Sequence, residues 1–315
     1  MLGTRGSALA RWQANHVAAE LERLHPGLEV VQTIIVTEGD RFQTGPVIER
    51  GGKGVWVKEI EEALLSGAID LAVHSLKDVP ATLANGLTIA AIPRRADPRD
   101  VLCSRTGHSL RELPAGSRLG TSSLRRVCQA MAIRPDLRIE LLRGNVDTRL
   151  RKVGDGVVDA AILAAAGLDR LGLSSRITER LSIADMLPAI GQGALAIETR
   201  AGDSPTRAFC RRLADPEAEL TVAAERALLV GLGAGCRTPV AGHALIDGDR
   251  LTLRGLVGRP DASEILSEVA HGPAASAPEL GTGLAMRLLE RGAGRILADL
   301  ERTHGYAGFQ LPVIT

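Results

Sequence analysis

Apolar residues in this chain fall into short runs and helical stripes that alternate from its start to about residue 200. Ser7 precedes a helical stripe over residues 8–24, which Pro26-Gly27 ends, so Ser7 is the expected cap of a first helix. Residues 30–36 form a β-rich apolar run. Residues 55–65 read as an amphipathic helix stopped at Gly67, and 69–73 and 87–92 as short buried strands. The rhythm resumes with a strand near Val101, a helix over 123–133, a strand over 138–142, a helix over 146–153 and a strand over 160–163. Short strands alternating with helices predict an α/β architecture, with parallel sheets covered by helices on both faces.

Two segments interrupt this pattern. One is Pro93-Arg94-Arg95-Ala96-Asp97-Pro98; the other is Leu187-Pro188-Ala189-Ile190-Gly191-Gln192-Gly193. Two crossings predict two lobes, with the chain leaving the first and returning to it, so 194–198 is read as a strand of the first lobe. A third region starts near Pro216 with a helix over 217–230. Two strand-like runs follow, 240–246 and 251–257, joined by the hairpin signal Asp247-Gly248-Asp249. A helix over about 278–300 closes an α+β domain. The expected division is 1–93 with 194–213, then 99–187, then 216–302. The tail after Thr303 carries no readable pattern.

A chain of 315 residues has room for two or three such bodies. The formal net charge is +1, so any strongly positive site must come from local placement of arginines. Aromatic residues make up only 2%, too few for a base-stacking platform, and no basic stripe is evident; nucleic acid is not an expected partner. The cysteines at 103, 128, 210 and 236 form no C-x-x-C pair, and the histidines lack ligand spacing, so no metal site is expected. Few cysteines without such pairing fit a reducing compartment. Arg5 and Arg11 before the first acid at Glu20 would suit a transit peptide, but Gly3 and Gly6 break a helix there. No secretory apolar segment and no run of 18 apolar residues is present. The expectation is a cytoplasmic protein that does not enter a membrane.

Three sets of residues carry candidate chemistry. Cys236 lies in Gly233-Ala234-Gly235-Cys236-Arg237-Thr238-Pro239, a thiol on a glycine-rich loop. Lys77 and Asp78 lie in Val73-His74-Ser75-Leu76-Lys77-Asp78-Val79-Pro80, just after an apolar strand. Arg125, Arg126, Arg143, Arg149 and Arg170 are spaced through the second lobe. Taken singly these residues read as an exposed turn pair, solvated charges and one more cysteine. Arginine forks nevertheless match carboxylates, so the set points to chemistry on a tethered polyanion. Gly51-Gly52-Lys53-Gly54 lacks the spacing of a phosphate-binding Walker loop.

These segments resemble the porphobilinogen deaminase (hydroxymethylbilane synthase) family. The resemblance is carried by Gly3-Thr4-Arg5-Gly6-Ser7, Gly51-Gly52-Lys53-Gly54, His74 to Pro80, Gly120-Thr121-Ser122-Ser123-Leu124-Arg125-Arg126, Arg143-Gly144-Asn145-Val146, Gly191-Gln192-Gly193-Ala194 and Gly235-Cys236, in the family's order over nearly the whole chain. It implies two periplasmic-binding-protein-like lobes with mixed, mostly parallel sheets, plus a small α+β C-terminal domain. It implies a monomeric transferase that joins porphobilinogen head to tail, with loss of ammonia, into a linear tetrapyrrole on the way to haem. The cofactor would be a dipyrromethane held by a thioether to Cys236.

By the same resemblance Asp78 is the catalytic acid. It would deliver a proton to the leaving amine and then face the azafulvene cation and the pyrrole N–H groups. Lys77, Ser75, Thr121, Ser123, Arg125 and Arg126, with Asp78, are assigned to the cofactor. Arg5, Ser7, Arg143, Arg149, Arg170 and Gln192 are assigned to porphobilinogen and the growing chain. The glycine-rich loop at 51–54 would move over the cleft. His74 is read as structural, and Cys103, Cys128 and Cys210 as buried. The chain departs from the family at Ala8, where a proline is common, and at Trp56, where phenylalanine is usual. Two rivals stand beside this reading. A non-catalytic binding protein needs a secretion signal and has no use for Cys236. A cysteine acyl transferase needs a histidine base, for which His243 is near in sequence but in no motif.

Overall fold

The structure is a computed structural model and describes residues 1–37, 57–235 and 238–302. Ser7 Oγ accepts a hydrogen bond from the Ala10 amide at 3.3 Å, so the first turn of α1 (Ala8–Leu24) is capped as the sequence predicts. Gly27, at φ +89°, follows the helix end. The chain then divides into two compact units, Met1–Ala96 with Gly193–Leu220, and Asp97–Gln192 with Thr221 onward.

The first unit holds a five-stranded sheet of β1 (Leu2–Thr4), β2 (Gln32–Ile34), β3 (Leu71–Ser75), β4 (Leu87–Ala91) and the returning β10 (Leu195–Arg200), in the order β2-β1-β3-β10-β4. β1 runs parallel to β2 and β3, whereas β10 runs antiparallel to both β3 and β4. Side chains of β3 alternate between two cores, as strand periodicity requires. Leu71 and Val73 pack with Leu2, Val17 and Leu21, and Ala72 packs on the other face with Ile60 and Leu64 of α2 (Lys58–Leu65). The expected strand over 69–73 starts two residues later, because the Ile69 amide is tied to the Ala63 carbonyl at the end of α2.

The second unit has its own five-stranded sheet of β5 (Asp100–Ser104), β6 (Arg118–Gly120), β7 (Arg138–Glu140), β8 (Ala160–Ala164) and β9 (Glu179–Arg180), in the order β7-β6-β8-β5-β9. β6 pairs parallel with β7 and β8, and β5 antiparallel with β8 and β9. Helices α3 (Leu124–Ile133), α4 (Val146–Gly154) and α5 (Ala165–Arg170) connect these strands. Leu102 and Ile162 face one core with Val127; Val101, Cys103 and Leu163 face the other with Leu150. Both sheets are therefore mixed, with as many antiparallel as parallel pairings.

After α6 (Ser204–Arg211) and α7 (Pro216–Gly231) come β11 (Val240–Asp247), β12 (Arg250–Gly258) and β13 (Ile265–Pro273), an antiparallel sheet. The β11–β12 turn pairs Asp247 with Arg250 across Gly248-Asp249, as the hairpin signal predicts. β13 was not expected: only Leu266 and Ala270 along it are buried, too sparse a pattern to read as a strand. The single helix expected over 278–300 is two, α8 (Ala277–Glu290) and α9 (Ala293–Arg302), broken at Gly292 with φ +103°. Trp56 and the 51–54 glycine motif lie outside the described residues, as does the start of the expected 55–65 helix.

Two glycines of α8 give a test of opposite sign. A Cβ at Gly281 would overlap the Ala224 carbonyl oxygen of α7 and come within 2.7 Å of Ala227 Cβ, whereas one at Gly283 meets nothing within 4 Å. Gly281→Ala is expected to destabilise by about 1–3 kcal/mol through overpacking. Gly283→Ala should stabilise by about 0.5–1 kcal/mol, because alanine loses less backbone entropy in a helix. Denaturant midpoints of the two variants check this; equal shifts would mean that α7 and α8 do not approach through Gly281.

Candidate active site

In the first unit the candidate residues gather where β1 and β3 end. These strands are parallel neighbours, with Leu2 beside Leu71 and Gly3 beside Ala72, so their carboxyl ends lie on one edge of the sheet. That edge is where α/β sheets present ligand-binding residues. Arg5 and Ser7 follow β1. Ser75 ends β3, and the chain turns at once into a 3-10 helix, Leu76–Asp78. The turn is held from both sides. The Leu76 amide donates to the Ala194 carbonyl at 3.0 Å, Gln13 Nε2 of α1 donates to Ser75 Oγ at 2.8 Å, and Leu76 and Val79 are buried. Asp78, between these anchors, is exposed, and its carboxylate has no hydrogen bond or ion pair among the described residues. Lys77 beside it is half-buried.

His74 points the other way. Its Nε2 lies 3.0 Å from Oε2 of Glu198 on β10, and both side chains are buried. Burial, and then Glu198, push the Glu61 carboxyl of α2 upward. His74 thus belongs to a buried polar cluster on the strand that carries the Asp78 turn.

In the second unit α3 starts at Ser123, whose side chain makes no capping bond; the Ser123 amide donates to Thr121 Oγ1 at 3.2 Å. Thr121 is buried, and its amide donates to the Glu140 carbonyl at 3.0 Å. Arg125 and Arg126, on the first turn, are only 3% and 6% exposed and converge on Asp100, which is 0% exposed. Arg125 Nη1 donates to Asp100 Oδ2 at 2.6 Å and to the Leu187 carbonyl at 2.8 Å. Arg126 donates to Asp100 Oδ1 from Nε at 3.0 Å and Nη2 at 2.7 Å, and to the Ile162 carbonyl from Nη1 at 3.0 Å. Gln192 Nε2 completes the ring, donating to Asp100 Oδ1 at 3.0 Å and to the Pro98 carbonyl at 2.7 Å. Burial alone would raise the Asp100 carboxyl, but the two guanidiniums outweigh it and hold it far below the carboxylate range.

The other arginines belong to different elements. Arg143 precedes Gly144, which has φ +108°, and Arg149 Nε on α4 donates to the Gly144 carbonyl at 2.8 Å. Asn145 caps α4 by accepting from the Thr148 amide at 3.0 Å. Burial pushes the Arg170 guanidinium, at the end of α5, down to about 10.

Sequence reasoning missed Asp100 and the residues that clamp segment 187–192 behind it. Gln129 Oε1 accepts from the Leu187 amide at 2.7 Å. Glu225 of α7, 0% exposed, accepts from the Gly191 amide at 2.7 Å and from the Ala244 amide of β11 at 2.8 Å. The only sequence signal was an acid opening the apolar run at Val101.

Cys236 and Arg237 lie outside the described residues; Gly235 and Thr238, which flank them, are hydrogen-bonded to each other. The other three cysteines are buried, and burial pushes their thiols up, Cys103 to about 11 and Cys128 and Cys210 to about 12. Among the described residues no group of histidines, cysteines and acids has the makings of a metal site, and no helix is long and apolar enough to cross a membrane.

Comparison with known proteins places the chain in a family. The family model described as porphobilinogen deaminase, dipyromethane cofactor binding domain, matches residues 1–208, and that of the porphobilinogen deaminase C-terminal domain matches 219–290. The chain is 51% identical over 302 residues to the porphobilinogen deaminase of Syntrophobacter fumaroxidans, covering 96% of this chain and 97% of that protein. It is also 51% identical over 302 residues to that of Syntrophotalea carbinolica, covering 96% of each. Among solved structures it is similar to a TRAP periplasmic solute binding protein from Desulfovibrio salexigens with bound orotic acid, at 13% identity, TM-score 0.37 and coverage of 96% and 97%. Another is the second substrate binding domain of a putative amino acid ABC transporter from Streptococcus pneumoniae, at 12% identity, TM-score 0.41 and coverage of 74% and 93%.

The buried thiols generate a prediction. In a folded Cys236→Ser variant at pH 8, Cys103, Cys128 and Cys210 should resist an alkylating reagent, and all three should react after unfolding. Intact mass counts the labels; rapid labelling of the folded variant would show that these thiols are accessible.

Proposed function

This chain belongs to the porphobilinogen deaminase family, and on that premise we propose how its residues divide the work. It is a transferase of tetrapyrrole biosynthesis. It joins porphobilinogen molecules head to tail, with loss of ammonia, into the linear tetrapyrrole hydroxymethylbilane, the precursor of porphyrins and haem, and it uses a dipyrromethane cofactor.

The observation that carries the residue-level reading is the Asp78 turn: a carboxylate with no partner among the described residues, on a rigid mount at the carboxyl edge of a sheet. Asp78 donates a proton to the departing amine, then as carboxylate faces the positive charge left on the substrate and accepts from pyrrole N–H groups. Lys77 and Arg5, beside it on the same sheet edge, hold substrate or cofactor carboxylates, with Ser7 and Ser75 as neutral contacts. Arg143, Arg149 and Arg170 receive the carboxylates of the growing chain, and Gln192 orients the substrate side of the Asp100 ring.

The second unit's donors fit the cofactor. A dipyrromethane made from this substrate carries several carboxylates, and Thr121, Ser123, Arg125 and Arg126 offer hydroxyls, a helix start and guanidiniums. When bound, that group supplies the pyrrole carbon on which the chain grows. Cys236 holds it by a thioether, a reading supported by the burial and raised thiols of the other three cysteines. The reading extends to a three-part division into 1–93 with 194–213, 99–187 and 216–302, and to a monomer working in the cytoplasm.

Asp78→Asn keeps the shape and removes the charge. It should retain the adduct by intact mass and lose about 10²–10⁴-fold in turnover. Near-normal turnover with the adduct present would reduce Asp78 to a surface turn residue. Cys236→Ser should fold, as circular dichroism would show, yet carry no adduct and form no product. An adduct of normal mass in that variant would move the attachment elsewhere.

A further inference from the structure

Asp100 stands outside the roles assigned so far, yet four N–H donors converge on its carboxylate: Arg125 Nη1, Arg126 Nε, Arg126 Nη2 and Gln192 Nε2, at 2.6–3.0 Å. No member of this ring is more than 6% exposed. Two cations share one anion, so the cluster keeps a net positive charge. A buried charge of this kind is costly unless a further anion meets it. The geometry shows where one would enter. Both hydrogens of Arg125 Nη1 are committed, one to Asp100 and one to the Leu187 carbonyl, while Nε and Nη2 have no partner among the described residues. Arg126 is fixed on three nitrogens, twice by Asp100 and once by the Ile162 carbonyl.

We propose that Asp100 is a positioning residue for cofactor assembly. It locks the rotamers of Arg125 and Arg126 and leaves the pair one anion short, so that a pyrrole carboxylate completes the cluster. This rests on the assignment of the two arginines to the cofactor. A planar fork held in place before the ligand arrives loses little entropy on binding, which makes the clamp worth its burial. Asp100 itself does not touch the cofactor; it acts through the arginines. Its charge matters as much as its shape, because a neutral side chain at 100 would leave two buried guanidiniums facing each other.

The test reads the fraction of purified protein that carries the dipyrromethane adduct by intact mass, beside the thermal midpoint. Asp100→Asn should fold and carry the adduct on at least about thirtyfold fewer molecules, the scale expected when one partner of a buried charge pair is removed. In Asp100→Ala, sodium formate supplied with porphobilinogen should restore adduct formation, and formamide, of the same shape but uncharged, should not. A merely structural Asp100 would show no such preference. Full adduct in folded Asp100→Asn, or equal rescue by formate and formamide, overturns the proposal. So does failure of Asp100→Asn, Asp100→Ala and Asp100→Glu alike to fold, which would make Asp100 a residue of the fold only. Arg125→Lys and Arg126→Lys separate the two levels. If both carry full adduct, the assignment of the arginines fails. If they lose it while Asp100→Asn keeps it, only the role of Asp100 fails.

Discussion

A completely buried carboxylate, Asp100, organises the second unit, because its charge can persist there only if cations and amides from several elements reach it. Asp100 opens β5, Arg125 and Arg126 come from the first turn of α3, and Gln192 comes from the returning segment. The arginines also donate to the carbonyls of Leu187 and of Ile162 on β8. Sheet, helix and crossing segment are thereby fixed to one another through polar groups. Apolar packing alone would tolerate small slips between them; a carboxylate shared by four donors does not, since each displaced donor leaves a buried polar group or charge unsatisfied.

The second layer makes the same point with backbone amides and carbonyls as partners. Gln129 grips Leu187 from both its amide and its carbonyl, and Glu225 takes the Gly191 and Ala244 amides together. Segment 187–192 has no strand or helix to satisfy its backbone, so buried side chains do it instead. The first unit follows the opposite logic at Asp78. There the backbone is held by the Ala194 carbonyl, by Gln13 on Ser75 and by two buried apolar side chains, and the carboxylate is left exposed. A buried acid ringed by donors serves structure and positioning. An exposed acid on a rigid mount is available for proton transfer.

This difference explains which parts of the molecule could be read from the sequence. The helix over 8–24, the hairpin at 247–249 and the return of 194–198 to the first sheet were legible because cap, turn and periodicity signals are local. Direction within the sheets was not: the antiparallel entry of β5 and β10 depends on pairings 56 to 64 and 120 to 128 residues apart along the chain. β13 was missed because only two of its side chains reach the core, and the break at Gly292 because one glycine inside a helical stripe is a weak signal. The candidate site divides the same way. Asp78, Arg125, Arg126 and Cys236 lie in motifs and could be named from the sequence; Asp100 and Glu225 lie in none, and their contacts exist only in three dimensions.

The arginines show where motif reading and physics meet. From the sequence Arg125 and Arg126 were two cations awaiting carboxylates. In the structure one carboxylate, Asp100, is already there and takes donors from both. A guanidinium has five N–H groups, so engagement by an internal acid does not exhaust it; it fixes which donors remain and where they point. Two buried arginines with two acids would be neutral and closed. Two arginines with one acid are ordered yet still attractive to an anion, and that intermediate state is what a site needs if it must be assembled before its ligand arrives.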